Sequence, residues 1–68
     1  MKQVSGKEFI RPVLKRGWLL KRINGSHHIL TMEGHRERLV IPVHGNQPLK
    51  LGLLKHQMKI DGLTEADL

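Results

Sequence analysis

The segment Gly25-Ser26-His27-His28 sets two adjacent imidazoles directly after a glycine turn. Imidazole is the side chain that takes up and releases a proton near neutral pH. The surrounding chain is cationic: Lys21 and Arg22 precede the turn, and Arg36 and Arg38 follow it. Proton carriers flanked by fixed positive charge suit proton transfer on a polyanion, with cations holding phosphate oxygens. Ser26 belongs to the same segment and adds a hydroxyl at the turn. Neighbouring strand residues point to opposite faces, so His27 and His28 cannot serve one surface. Leu30 and Met32 fall with His28, while Ile29 and Thr31 fall with His27. The Leu/Met side reads as core, which makes His27 the first candidate for an exposed reactive group. The alternative is a reactive His28 with His27 packed beside it. His44 lies further along, fitted either to a second proton-transfer role or to capping its loop, and His35 and His56 read as surface residues. Adjacent histidines on a strand diverge, and Glu33 and Glu37 sit beside turns among arginines, so neither a zinc nor a magnesium site is expected. No cofactor is expected either.

Composition bounds what can position these groups. A chain of 68 residues allows one domain with a thin core, here residues 1–68. Twelve Lys and Arg against six Asp and Glu give a net charge of +6, and the pI is near 10.4. A pI above about 9 in one domain is a footprint of nucleic-acid binding, although an acidic protein partner would also suit it. There is no cysteine, which excludes disulfides and thiolate zinc sites. No apolar run approaches the roughly 20 residues of a membrane span. Lys7, Glu8 and Arg11 interrupt any signal-peptide stretch, so a cytoplasmic soluble protein is expected.

Five elements follow from the patterning. Ser5 and Glu8 have capping-box spacing ahead of an apolar stripe of Phe9, Ile10, Val13 and Leu14. A helix over 5–16 results, ended by Lys15, Arg16 and Gly17; Pro12 predicts a kink or a later start. A strand over 18–23 places Trp18, Leu20 and Arg22 on one face. Asn24-Gly25 is a strong hairpin signal, because both residues accept positive φ. Strands over 27–32 and 38–44 follow, separated by a turn at Glu33-Gly34; Pro42 marks the last strand as an edge or its end. After the loop 45–48 comes a helix over about 50–61, with Leu53, Leu54, Met58 or Gln57, and Ile60 inward. Gly62 caps it and Leu63 supplies a Schellman contact. Thr64–Leu68 is an acidic tail with room for one helical turn. The expected fold is α+β, in the order α-β-β-β-α: a three-stranded antiparallel sheet with two helices packed on one face. The other face is left to water and to function.

Gly17-Trp18, Gly25-Ser26-His27-His28, Ile41-Pro42-Val43-His44 and Gly52-Leu53-Leu54-Lys55 together resemble the HicA family of mRNA interferase toxins. They span nearly the whole chain in that family's order. Pro12 within the first helix and Leu19, where many members are polar, depart from the pattern. The resemblance implies a double-stranded-RNA-binding-domain-like fold, metal-independent endoribonuclease activity on mRNA, and neutralisation by a HicB-type antitoxin. In that setting the residue chemistry makes His27 and His28 the catalytic candidates, with Lys21, Arg22, Ser26, Arg36, Arg38 and His44 as candidate RNA contacts. The residues suit that chemistry, since metal-free RNA cleavage needs a base, an acid and cations for the phosphorane charge.

Two other functions fit the composition. One is a non-catalytic double-stranded RNA-binding module; the lysine cluster such modules carry at the last helix is thin here, with only Lys50 and Lys55. The other is a basic adaptor for an acidic protein. An aromatic content of 3% offers little base-stacking surface, and Trp18 reads as core, so loose sequence selectivity is expected.

Overall fold

A computed structural model describes residues 3–68. The elements run α1 (Gly6–Lys15), β1 (Leu19–Asn24), β2 (His27–Thr31), β3 (Leu39–Pro42), α2 (Leu51–Asp61) and a short 3-10 turn, η1 (Glu65–Asp67). The chain is therefore α+β with the expected order α-β-β-β-α. The sheet is antiparallel in the order β1-β2-β3, so β1 and β3 are both edges.

Ser5 starts α1 as predicted: its hydroxyl accepts from the Glu8 amide, and the Glu8 carboxylate accepts from the Ser5 amide. The helix begins immediately after this cap and runs through Pro12, so no later start occurs. Phe9 and Val13, one turn apart, are fully buried, whereas Leu14 is 46% exposed and lies off the stripe. Gly6 has a specific task. A methyl built on it would overlap the Pro42 carbonyl oxygen and meet Val43 Cα at 3.3 Å, so only glycine lets α1 start against the end of β3.

In the core, Phe9 and Val13 of α1 meet Leu54 and Met58 of α2, together with Trp18, Leu30, Leu39 and Ile41. Both helices thus cover the sheet face that carries Leu30, Leu39 and Ile41. Helix α2 also buries Gln57, whose amide nitrogen donates to the Val40 carbonyl at 3.4 Å. Leu53 and Ile60 are only half-buried. Gly62 takes the left-handed cap with φ +77°, and Leu63 donates to the Met58 carbonyl at 3.0 Å and is buried, which completes the expected helix ending. Arg16 reaches across to donate to the Asp61 carbonyl at 3.0 Å, tying the two helix ends together.

Two details of β1 differ from the sequence pattern. The pairing shifts between Leu20↔Leu30 and Arg22↔Ile29, so Lys21 is an extra, bulged residue. A bulge inverts the alternation beyond it. Leu20 and Arg22 therefore lie on opposite faces, not on one, and Arg22 joins His27 on the face turned away from the helices. The strand is exposed along its length, with Leu19 at 69% and Ile23 at 55%. The hairpin turn is also displaced by one residue. Asn24 pairs with His27, and Gly25-Ser26 form the turn. Gly25 has φ +62° and Ser26 does not have positive φ, which is the pattern of a type II′ turn, not the two-positive type I′ that Asn-Gly favours. Strand β3 is shorter than expected, ending at Pro42, although Val43 still donates to the Ser26 carbonyl at 2.8 Å.

Candidate functional site

Register decides which groups meet at the hairpin mouth. His27 pairs with Asn24 on one side and Pro42 on the other, and these pairs share the sheet face opposite the helices. His27 is exposed there. His28 pairs with Ile23 and Ile41, on the helix-covered face, and is half-buried. Its Nδ1 lies 3.4 Å from the Ser26 carbonyl oxygen, to which it donates when that nitrogen carries the proton.

His44 follows β3 by two residues and bends back to the turn. Its Nε2 is 3.4 Å from the Ser26 hydroxyl oxygen. Ser26 is half-buried, and its carbonyl accepts from Val43 while its hydroxyl meets His44. The turn residue thus links the strand that carries His27 to the segment that carries His44. One imidazole on the open sheet face and a second at the rim of the same turn form a compact set.

The cations divide into two groups. Arg22 is opposite Ile29, which makes it a diagonal neighbour of His27, and diagonal Cα atoms on one face stand about 7–8 Å apart, within reach of an arginine. Lys21 is the exposed bulge residue beside it. Arg36 and Arg38 sit in the β2–β3 connection, at the other end of the sheet from the turn. Four residue steps along β2 take the chain from His27 to Thr31 at that end, about 13 Å at the usual strand rise. Only Lys21 and Arg22 flank the hairpin. The pattern that placed all four together ignored the length of β2.

Beside these residues lies a pocket that sequence reasoning missed. Pro42 and His44 form one side of a pocket of about 590 Å³, closed on the other side by Leu49, Lys50 and Leu53 at the entry to α2. The loop 45–48 is held there by Val4, whose carbonyl accepts from the Leu49 amide at 2.8 Å, and by a bridge from Ser5 to Pro48. No local motif announces this cavity, because it needs the N-terminal segment, the β3 exit and α2 to converge.

Trp18 is fully buried, with its ring tilted against His35 at 5.1 Å, and so offers no surface to a ligand. Among the described residues no group of three or more His, Asp or Glu is arranged to hold a metal ion. Among the described residues no helix is long and apolar enough to cross a membrane. Burial raises the pKa of the Asp61 carboxyl above the ordinary value of 3.8, against the opposing effects of the Leu63 amide and Arg16. That group lies at the far end of α2 and takes no part in the site.

A search of curated proteins finds no match. The family model described as the HicA toxin of bacterial toxin–antitoxin pairs matches residues 6–63, which is most of the chain and includes every element from α1 to α2. With the α-β-β-β-α order and that span together, the chain belongs to the HicA family, the toxin partner of a bacterial toxin–antitoxin pair.

Proposed function

We propose that this protein is a metal-independent endoribonuclease that cleaves mRNA by histidine acid–base catalysis and is neutralised by a HicB-type antitoxin. The observation that carries the reading is the placement of His27: exposed, on the open face of the sheet, at the turn that also holds Ser26 and His44. RNA cleavage by its own 2′-hydroxyl needs little more. The 2′-oxygen bonds to phosphorus, the bond from phosphorus to the 5′-oxygen breaks, and a 2′,3′-cyclic phosphate remains. His27 accepts the 2′-hydroxyl proton and His44 returns a proton to the leaving 5′-oxygen. Arg22 and Lys21 hold the charge that develops on the phosphoryl oxygens. His28, turned toward the helices beside the Ser26 carbonyl, steadies the turn.

Cleavage of RNA in excess EDTA by wild type, His27→Ala and His28→Ala tests the reading. His27→Ala loses on the order of 10²–10⁴-fold in rate, the usual contribution of an acid–base group. Its stability changes by less than about 0.5 kcal/mol, as befits an exposed side chain. Full activity in His27→Ala with loss in His28→Ala reverses the assignment, and activity in both ends the histidine mechanism. The same +6 surface suits an acidic antitoxin laid over the hairpin mouth. Hydrogen exchange in the complex should then protect residues 21–28; protection confined to the helices would exclude direct occlusion.

A further inference from the structure

We infer that the pocket between the β3 exit and the start of α2 is a subsite for one unstacked nucleobase of the RNA strand, next to the phosphate that is cut. The inference rests on the ribonuclease reading for its position in the reaction, but not for the binding itself. The pocket measures about 590 Å³, within the range of about 300–1,000 Å³ typical of small-ligand sites. Its walls are largely apolar: Pro42 and Pro48, whose rings restrict the backbone, line it together with Leu49 and Leu53. A base removed from its stack sheds its faces from water against such side chains and is read along its edge. The usual aromatic platform is absent from this surface, because Trp18 and Phe9 are both fully buried. Apolar contact with the two prolines and two leucines takes its place.

The polar groups in the lining suit a nucleotide. Gln47 stands at the edge of the pocket, exposed, with an amide that offers a donor and an acceptor side by side. That pair fits the hydrogen-bonding edge of a base, and glutamine's two-point match is to adenine. The only ionisable residues in the lining are His44 and Lys50, with no carboxylate to repel a phosphate. The position follows from the sheet. Pro42 is at once a pocket wall and the cross-strand partner of His27, and His44 is at once a pocket wall and the neighbour of the Ser26 hydroxyl. A base seated here sets its own backbone at the hairpin mouth. Selectivity is then confined to a single nucleotide beside the cut, in a protein otherwise indifferent to sequence.

Amide NMR titrations with the four nucleoside monophosphates, and with ribose 5-phosphate as a baseless control, test the subsite. AMP should shift the amides of Gln47, Leu49 and Leu53 at concentrations where ribose 5-phosphate does not. Gln47→Ala, an exposed change that leaves packing alone, should bind AMP several-fold more weakly and erase the differences among the four bases. In cleavage mapping, the same variant should lose any preference at the nucleotide beside the cut. Equal shifts from ribose 5-phosphate, shifts located elsewhere, or an unchanged base ranking in Gln47→Ala would overturn the proposal. So would a pocket that answers to an acidic apolar peptide and to no nucleotide. Failure of the two readings is separable. Nucleotides in the pocket with RNA left intact would retain the subsite and reject the ribonuclease. RNA cut by a protein whose pocket ignores nucleotides would do the reverse.

Discussion

Replacing Gly6 by Ala tests how α1 is seated against the sheet, and the structure sets the expected sign against local preference. In a helix the change ordinarily helps by up to about 1 kcal/mol, since alanine is the better helix former. Here the new methyl overlaps the Pro42 carbonyl oxygen and stands 3.0 Å from its carbon and 3.3 Å from Val43 Cα. All three are backbone atoms, which cannot rotate aside as a side chain would. To restore ordinary contact, α1 must retreat by on the order of 1 Å, and such overpacking costs about 1–3 kcal/mol. Because the overlap is with backbone, the upper end of that range applies, and after the helix-propensity gain the net loss is about 2 kcal/mol, a large share of the roughly 3–10 kcal/mol expected for a chain of this length. For a domain of this size it lowers Tm by about 8–16 °C. Gly52→Ala is the matched control, because that glycine also sits in a first helical turn, has negative φ and faces open space. Thermal and urea denaturation of both variants should show Gly52→Ala equal to or above wild type and Gly6→Ala clearly below. The pair also separates stability from function. Pro42 faces His27 across the ladder, so at a temperature where both variants are folded only Gly6→Ala should cleave RNA more slowly. A Gly6→Ala protein as stable as Gly52→Ala would refute the close approach of α1 to β3.

Salt should report on the cations near the turn: RNA affinity falls steeply with ionic strength, and Lys21→Ala or Arg22→Ala each flatten the log–log slope by roughly 0.7–0.9. Arg36→Ala and Arg38→Ala, at the other end of the sheet, should lower cleavage less than Arg22→Ala does; the opposite order would move the phosphate path off the hairpin mouth. Asp61 gives a pH signature. Burial raises its folded pKa, so its contribution favours the folded state most at low pH and is lost as pH rises through that folded value. Stability measured against pH from about 3.8 upward should show this decline in wild type and a flatter profile in Asp61→Asn, which keeps an oxygen acceptor for the Leu63 amide. A decline of equal size in both would assign it to another group.

Local chemistry made the helix ends readable. The Ser5–Glu8 box, the left-handed Gly62 and the Leu63 contact depend on residues within a few positions of one another, and each appears where the pattern placed it. The face that carries Leu30 was equally legible, because β2 pairs with β3 without a bulge and Leu30 falls opposite Leu39, even though Ile29 on the other face is buried as well. The bulge at Lys21 was not, since nothing in Leu-Leu-Lys-Arg-Ile marks which residue leaves the ladder. The turn at Gly25-Ser26 was misplaced by one for a related reason: Asn24 is drawn into pairing with His27, so the single positive φ falls on glycine alone. The meeting of Ser26 with His44, and the pocket beyond it, depend on residues 18 or more positions apart and on a loop held by Val4. Such long-range closures leave no periodic trace.

The bulge in β1 also bears on how this protein stays dispersed. An edge strand of six residues with Leu19, Leu20 and Ile23 exposed is a template onto which another chain's backbone can add. The extra Lys21 breaks the free ladder midway, increases the local twist, and sets two consecutive cations in the middle of the apolar residues. Like charges then face each other when two such edges pair in a register centred on Lys21-Arg22. Removing Lys21 would leave Leu20↔Leu30 and Arg22↔Ile29 in uninterrupted pairing, so the fold would tolerate the deletion while the edge became straighter and less charged. The residue that disrupts this strand is therefore a safeguard against self-assembly in a protein whose outer strand is otherwise built to recruit a neighbour.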